Sequence, residues 1–219
     1  MASLTTVYVT VRKEDYEKHQ DIFAGADEAK DLDGGLVHMS FYEKQVADFP
    51  VCETLLEQSI PYDKEWEPAL EHVEGVQHHR IRENGTTWLM EFNGGEQETV
   101  SLADALDALE EGRIGQYLEA QKANKTPMPW PEQNEIMERR GEAAKELWAL
   151  DAKTLAKMIT FRCASLAAEA NESPRGHIVS PQEMARTVNG LGQRQQIAFL
   201  LDNGYLVDED YDYTRTIAL

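Results

Sequence analysis

Pro127, Pro129 and Pro131, set around Met128 and Trp130, divide this 219-residue chain. Each ring locks φ and removes a backbone donor, so Asn124–Pro131 reads as a non-helical linker with accessible peptide bonds. Residues 1–123 and 132–219 then form separate regions, each about the size of one small domain.

Composition sets the class of both. Hydrophobic residues make up 42% and charged residues 28%, an ordinary globular balance. The net charge is -19, and it is unevenly spread: the first 100 residues hold 21 acids against 8 Lys and Arg, the remaining 119 hold 19 against 13. Such a surface repels nucleic-acid and membrane phosphates and attracts basic proteins. The amino terminus has no secretory pattern, and no apolar run reaches the length of a membrane span, so a cytoplasmic protein is expected. Cys52 and Cys163 sit among apolar neighbours and read as buried, reduced thiols.

The fold class read from the pattern is α+β: a mostly antiparallel amino-terminal sheet with helices, then a helical region ending in a winged-helix-like domain. Thr5–Val11 alternates as a strand, Lys13–Phe23 is helix-prone, Asp27–Gly35 is a loop, and Leu36–Tyr42 is a second strand. Pro50 opens a helix that Pro61 ends. Gln77–Arg82 and Thr86–Phe92 flank Asn84-Gly85, whose positive φ angles suit a hairpin, and Glu96–Val100 is a candidate third strand. Ser101 and Asp104 approximate a capping box before a helix with Leu102, Ala105, Leu106 and Leu109 on one face and Asp104, Asp107 and Glu111 on the other. Helices over Glu132–Leu150 and Lys153–Glu169 follow.

Near the carboxy terminus, Ser180-Pro181-Gln182-Glu183 caps a helix ending at Asn189-Gly190. A second helix spans Gln193–Asp202, and a strand starts at Tyr205-Leu206-Val207. An acidic turn, Asp208–Asp212, leads to a returning strand, Tyr213–Leu219, and His177-Ile178-Val179 is the short strand ahead of them. That order, with SPQEMARTVNGLGQRQQIAFLLDNGYLV, resembles a winged helix-turn-helix domain over roughly residues 151–219. The resemblance implies a DNA-reading helix with Gln193, Arg194 and Gln196. Charge argues against that use: residues 171–219 hold seven acids and four Arg, and Asp208, Glu209, Asp210 and Asp212 fall in the expected wing. Protein contact or homodimerisation is the alternative use of such a domain.

The chain has no phosphate-binding glycine loop, GxSxG, HExxH or CxxC, so no catalytic residue, metal site or cofactor is assigned. His78 and His79, adjacent on a strand, point to opposite faces and do not share one ion. Asp27, Glu28, Asp31 and Asp33 lack the order of a calcium loop and read as solvated. Trp66, Trp88, Trp130 and Trp148 read as core or linker anchors. Glu96 and Glu98 on one strand face, about 6.6 Å apart at twice the strand rise, and Asp104, Asp107 and Glu111 along the helix form the candidate partner-binding set. In acidic character alone the chain resembles phage and plasmid counter-defence proteins, the antirestriction and anti-CRISPR inhibitors, some of which mimic DNA. That resemblance implies a non-enzymatic inhibitor whose partner is a basic, nucleic-acid-binding protein or complex. A winged-helix transcriptional regulator with an amino-terminal sensing domain is the other reading.

Overall fold

The chain folds as α+β, with a six-stranded antiparallel sheet followed by helices. The computed structural model describes residues 4–46, 49–70, 72–96, 99–172 and 180–206. It forms two compact units. One holds the residues up to Ile81 with Thr87–Asn134, the other Arg82–Thr86 with the residues from Glu135 onward.

In the first unit, β1 (Thr5–Arg12) runs into a short helix α1 (Lys13–Lys18) and then the hairpin β2 (Glu28–Leu32) and β3 (Leu36–Lys44). Helix α2 (Pro50–Glu57) precedes a meander of β4 (Tyr62–Trp66), β5 (Gly75–Ile81) and β6 (Thr87–Asn93), and the sheet order is β2-β3-β1-β4-β5-β6. The period of two in β1 turns Val7, Val9 and Val11 to one face. There they pack with Met39, Phe41, Tyr62 and Trp66 and with Cys52 and Leu55 of α2. Full burial of each such aliphatic side chain stabilises the fold by about 1.5–3 kcal/mol. Register puts Tyr8, Ser40, Glu65 and Val76 on the opposite face, with Asp63, His78, Arg80 and Phe92.

Several elements differ from the sequence expectation. Glu28–Leu32, expected as part of a loop, is a strand at the sheet edge with every residue exposed, so it never needed an apolar alternation. Tyr62–Trp66 is a strand the pattern did not reveal, because its inward Lys64 is buried by a hydrogen bond from Nζ to Val46 O and by the rings of Phe49 and Trp66. The helix at Lys13 stops at Lys18 rather than Phe23. The meander gains its third strand before the hairpin, not after it: β6 ends at Asn93, and Glu96 lies in a tight helical turn.

Two helices complete the first unit, α3 (Leu102–Glu110) and α4 (Ile114–Lys125), which pack on each other. Helix α5 (Trp130–Trp148) starts with Pro131 in its first turn, where a missing N–H costs nothing. The proline-rich stretch is therefore helical at both ends, and only Thr126–Pro129 lies between helices. Gln133, fully buried, accepts from Ile81 N at 2.9 Å and donates to Ile81 O at 3.2 Å, filling both backbone positions beyond the end of β5.

The second unit packs the later turns of α5 with α6 (Ala152–Glu172), α7 (Pro181–Asn189) and α8 (Gln193–Asp202). Leu147, Leu155, Ile159, Cys163, Ala185, Ile197 and Leu200 form its core. Ser180 Oγ accepts from Glu183 N, as the capping sequence predicts, and α7 ends at Asn189. The turn Arg82–Thr86 belongs to this unit. Gly85 has φ +84°, and a Cβ there would stand 2.5 Å from Asp202 Cα, so both conformation and contact require glycine. Arg140 donates to Leu201 O and pairs with Asp202, and Arg139 pairs with Glu83. Tyr205 and Leu206 lie in a turn after α8 rather than in a strand. The expected strands at His177–Val179 and Tyr213–Leu219 and the wing acids Asp208–Asp212 fall outside the described residues.

Candidate partner-binding site

Ser101 starts α3 by accepting from Asp104 N through its side chain at 3.4 Å. Asp104 and Asp107 are exposed, as the helical spacing predicts. The opposite stripe does not behave as expected. Leu102, Leu106 and Leu109 are 74%, 50% and 58% exposed, and only Ala108 of this helix is buried. Helix α4 buries no residue at all, and its Leu118 is exposed as well. Helices of nine and twelve residues gain little from their own hydrogen bonds in water, so an apolar stripe left open on them is a feature of surfaces that meet another molecule.

Glu111 caps the end of α3 rather than lying within it, and its carboxylate pairs with Arg113. Its charge is thus partly neutralised, and it sits at the helix end that repels anions. Glu96 is exposed in the turn after β6, where its carboxylate accepts from Asn93 N at 3.0 Å. The Glu96 backbone carbonyl accepts from Lys125 Nζ at 2.9 Å, which ties that turn to the end of α4. Glu98 lies outside the described residues, so the expected pairing of Glu96 with Glu98 along a strand has no support from β6, which ends earlier.

Among the described residues, the most densely bonded polar group was not legible in sequence. On the sheet face opposite the core, Asp63 accepts from His78 Nδ1 at 2.6 Å, from Arg80 at 2.7 Å and from Trp130 Nε1 at 2.7 Å. Arg80, almost fully buried, also donates to the carbonyls of Met128, Tyr62 and His79, each at 3.0 Å, and its guanidinium lies 4.2 Å from the Trp130 ring centre. Burial alone would raise the Asp63 pKa; the His78 hydrogen bond and the Arg80 charge outweigh it, and the carboxyl is held below its ordinary value. The signal present in sequence was the spacing of His78 and Arg80, two apart on one strand face. Asp63 sat on an unrecognised strand, and Trp130 is 67 residues from it.

His79 faces the core, fully buried, and its Nδ1 donates to Ile60 O at 2.8 Å. Burial lowers its pKa, so it stays neutral. The two histidines therefore do lie on opposite faces. The acids of the Asp27–Asp33 segment have separate uses: Asp27 accepts from Tyr42 N at 2.7 Å, and Asp31 pairs with Lys13. Among the described residues, no three His, Cys, Asp or Glu side chains are arranged to hold a metal ion, and no helix is long and apolar enough to cross a membrane.

At the end of the sheet where β1 and β5 begin and β4 and β6 finish, a cavity of about 560 Å³ opens beside Tyr8, Glu65, Glu67, Glu74, His78 and Phe92. Tyr8 donates its hydroxyl to Glu67 at 2.6 Å, and the neighbouring carboxylate raises the phenol pKa. Among the described residues, no Lys or Arg lines this cavity.

Of the residues that a DNA-reading helix would use, Gln193 and Arg194 are exposed on the first turn of α8. The Gln193 amide donates to Trp148 O at 3.2 Å. Gln196 donates to the carbonyls of Asn189 and Leu191, at 3.1 and 3.0 Å, and so holds the turn between α7 and α8. No family model, curated protein or solved structure matches the chain.

Proposed function

We propose that the protein acts by contact, docking on a basic, nucleic-acid-handling protein and inhibiting or regulating it without catalysing a reaction. The observation that carries this reading is the surface of α3, where Leu102, Leu106 and Leu109 are open to solvent on one face while Asp104 and Asp107 are exposed on the other. A helix apolar on one face and acidic on the other complements a hydrophobic groove with Lys and Arg around it: the leucines supply area removed from water, the acids supply orientation and speed of encounter. The net charge of -19 supports the same sign of partner and argues against direct contact with phosphates. The acidic character fits a mobile-element counter-defence protein of the antirestriction or anti-CRISPR kind, with the α7 and α8 pair serving assembly or autoregulation.

Two variants test the reading once a partner is captured from lysate and purified. Leu102→Ser, Leu106→Ser and Leu109→Ser together should leave unfolding stability nearly unchanged, within about 0.5 kcal/mol per exposed site, yet weaken partner binding at least about tenfold. Asp104→Lys with Asp107→Lys should slow association and reduce its salt dependence, while circular dichroism stays that of the wild type. Wild-type association by both folded variants would refute α3 as the docking surface. The winged-helix regulator reading is favoured by exposed Arg194 on the first turn of α8. Sequence-specific duplex binding lost on Arg194→Ala would establish it.

A further inference from the structure

We infer that the cavity at the open end of the sheet is a receptor for an arginine side chain of the partner, an inference that rests on the contact reading for the source of the arginine but not for the chemistry. Three carboxylates from two separate chain segments, Glu65 and Glu67 at the end of β4 and Glu74 just before β5, meet around a volume of about 560 Å³. That volume is large enough for a side chain, and the recess is open to solvent on one side. Among the described residues, neither Glu65 nor Glu74 has an ion-pair partner, and no Lys or Arg lines the cavity. In a folded chain carrying Lys and Arg elsewhere, like charges gathered in a recess raise the local field until a cation enters.

The walls select the kind of cation. Tyr8, Trp66 and Phe92 line the same cavity, as does His78, its Nδ1 held by Asp63. A guanidinium is planar and weakly hydrated. It stacks on ring faces and offers a carboxylate two parallel N–H donors, whereas an ammonium is a compact, strongly hydrated charge that loses more on leaving water. Tyr8 fixes Glu67 by donating to one of its oxygens, so that carboxylate is oriented before the ligand arrives. Gly75 also lines the recess: a Cβ there would meet the Trp66 ring at 2.1 Å, so the ring's close approach to the strand requires glycine.

The test uses the whole protein and the probes N-acetyl-arginine N-methylamide and N-acetyl-lysine N-methylamide, titrated at constant ionic strength while backbone amides are followed by NMR. The arginine probe should give saturable shifts at Gly75, Val76 and Gly95 with a Kd on the order of 1 mM, and the lysine probe should bind several-fold more weakly. Glu65→Gln with Glu67→Gln and Glu74→Gln should raise the arginine Kd at least about tenfold. Asp104→Asn with Asp107→Asn and Glu111→Gln, which removes the same formal charge from α3, should leave it within about twofold. Glu74→Gln alone, at an exposed position, should weaken binding about threefold and guards against misfolding of the triple variant. Unsaturable shifts, equal weakening by the two triple variants, or lysine binding as tight as arginine would each overturn the inference. Each of these outcomes leaves the α3 experiment, and with it the contact reading, standing or falling separately.

Discussion

Arg80 ties the middle of the sheet to the segment ahead of α5. It joins the carbonyls of Tyr62, His79 and Met128 to the Asp63 carboxylate and lies against Trp130. Arg80→Met keeps the bulk but leaves Asp63 buried without its cation, a loss of about 3–5 kcal/mol, read as a lower midpoint in urea unfolding. Restoring part of that stability by adding Asp63→Asn in the same chain would identify the unpaired charge as the cause. His79 gives a separate signature. Its folded pKa lies below the value near about 6.5 of an unfolded chain, so below that pH the unfolded state binds a proton that the folded state refuses, and stability falls as pH falls. The slope from this one group is at most about 1.4 kcal/mol per pH unit. His79→Gln keeps a donor for Ile60 O and should flatten the stability profile between pH 6.5 and 5 relative to wild type. An unchanged slope would show that His79 takes up a proton in the folded core.

At the scale of elements, the connection Thr126–Pro129 is held toward its carboxy-terminal end: Arg80 Nε donates to Met128 O and Trp130 Nε1 to Asp63. The sequence reading of an accessible linker made this stretch the expected site of proteolysis. With these bonds in place it should resist limited proteolysis in the wild type and become a cleavage site in Arg80→Met, as judged by the mass of the first fragments. Prompt wild-type cleavage there would mean that the anchors do not hold the segment. The contrast shows what sequence carries. Turn chemistry and capping are local, so the Asn84-Gly85 hairpin and the helices at Pro181 and Gln193 were legible to within a residue or two. Strand β4 was not, because its inward lysine and its Asp63 take their environment from Val46, Arg80 and Trp130, all distant in the chain. The acids of α3 were placed correctly on its open side. The exposure of its leucines was not readable, since an amphipathic pattern gives the face but not what covers it.

For the whole molecule, the acidic excess orders what approaches and what is kept away. Its consequence for the sheet appears at the two edges. Strand β2 is exposed along its entire length and carries Glu28, Lys30 and Asp31, charges that spoil any added strand. Strand β6, whose one sheet neighbour among the described residues is β5, carries Leu89 at 42% exposure with Thr87 beside it. In neutral solution repulsion between two copies bearing -19 each opposes pairing at that edge. Near the isoelectric point of about 4.6 the barrier vanishes. Turbidity with a rise in strand signal should then develop within a narrow band of pH, and Leu89→Lys should suppress it more than the same substitution at Leu32 of β2. Negative charge thus acts as insulation between copies, and the margin of the sheet that holds the fewest charges marks where that insulation is thinnest.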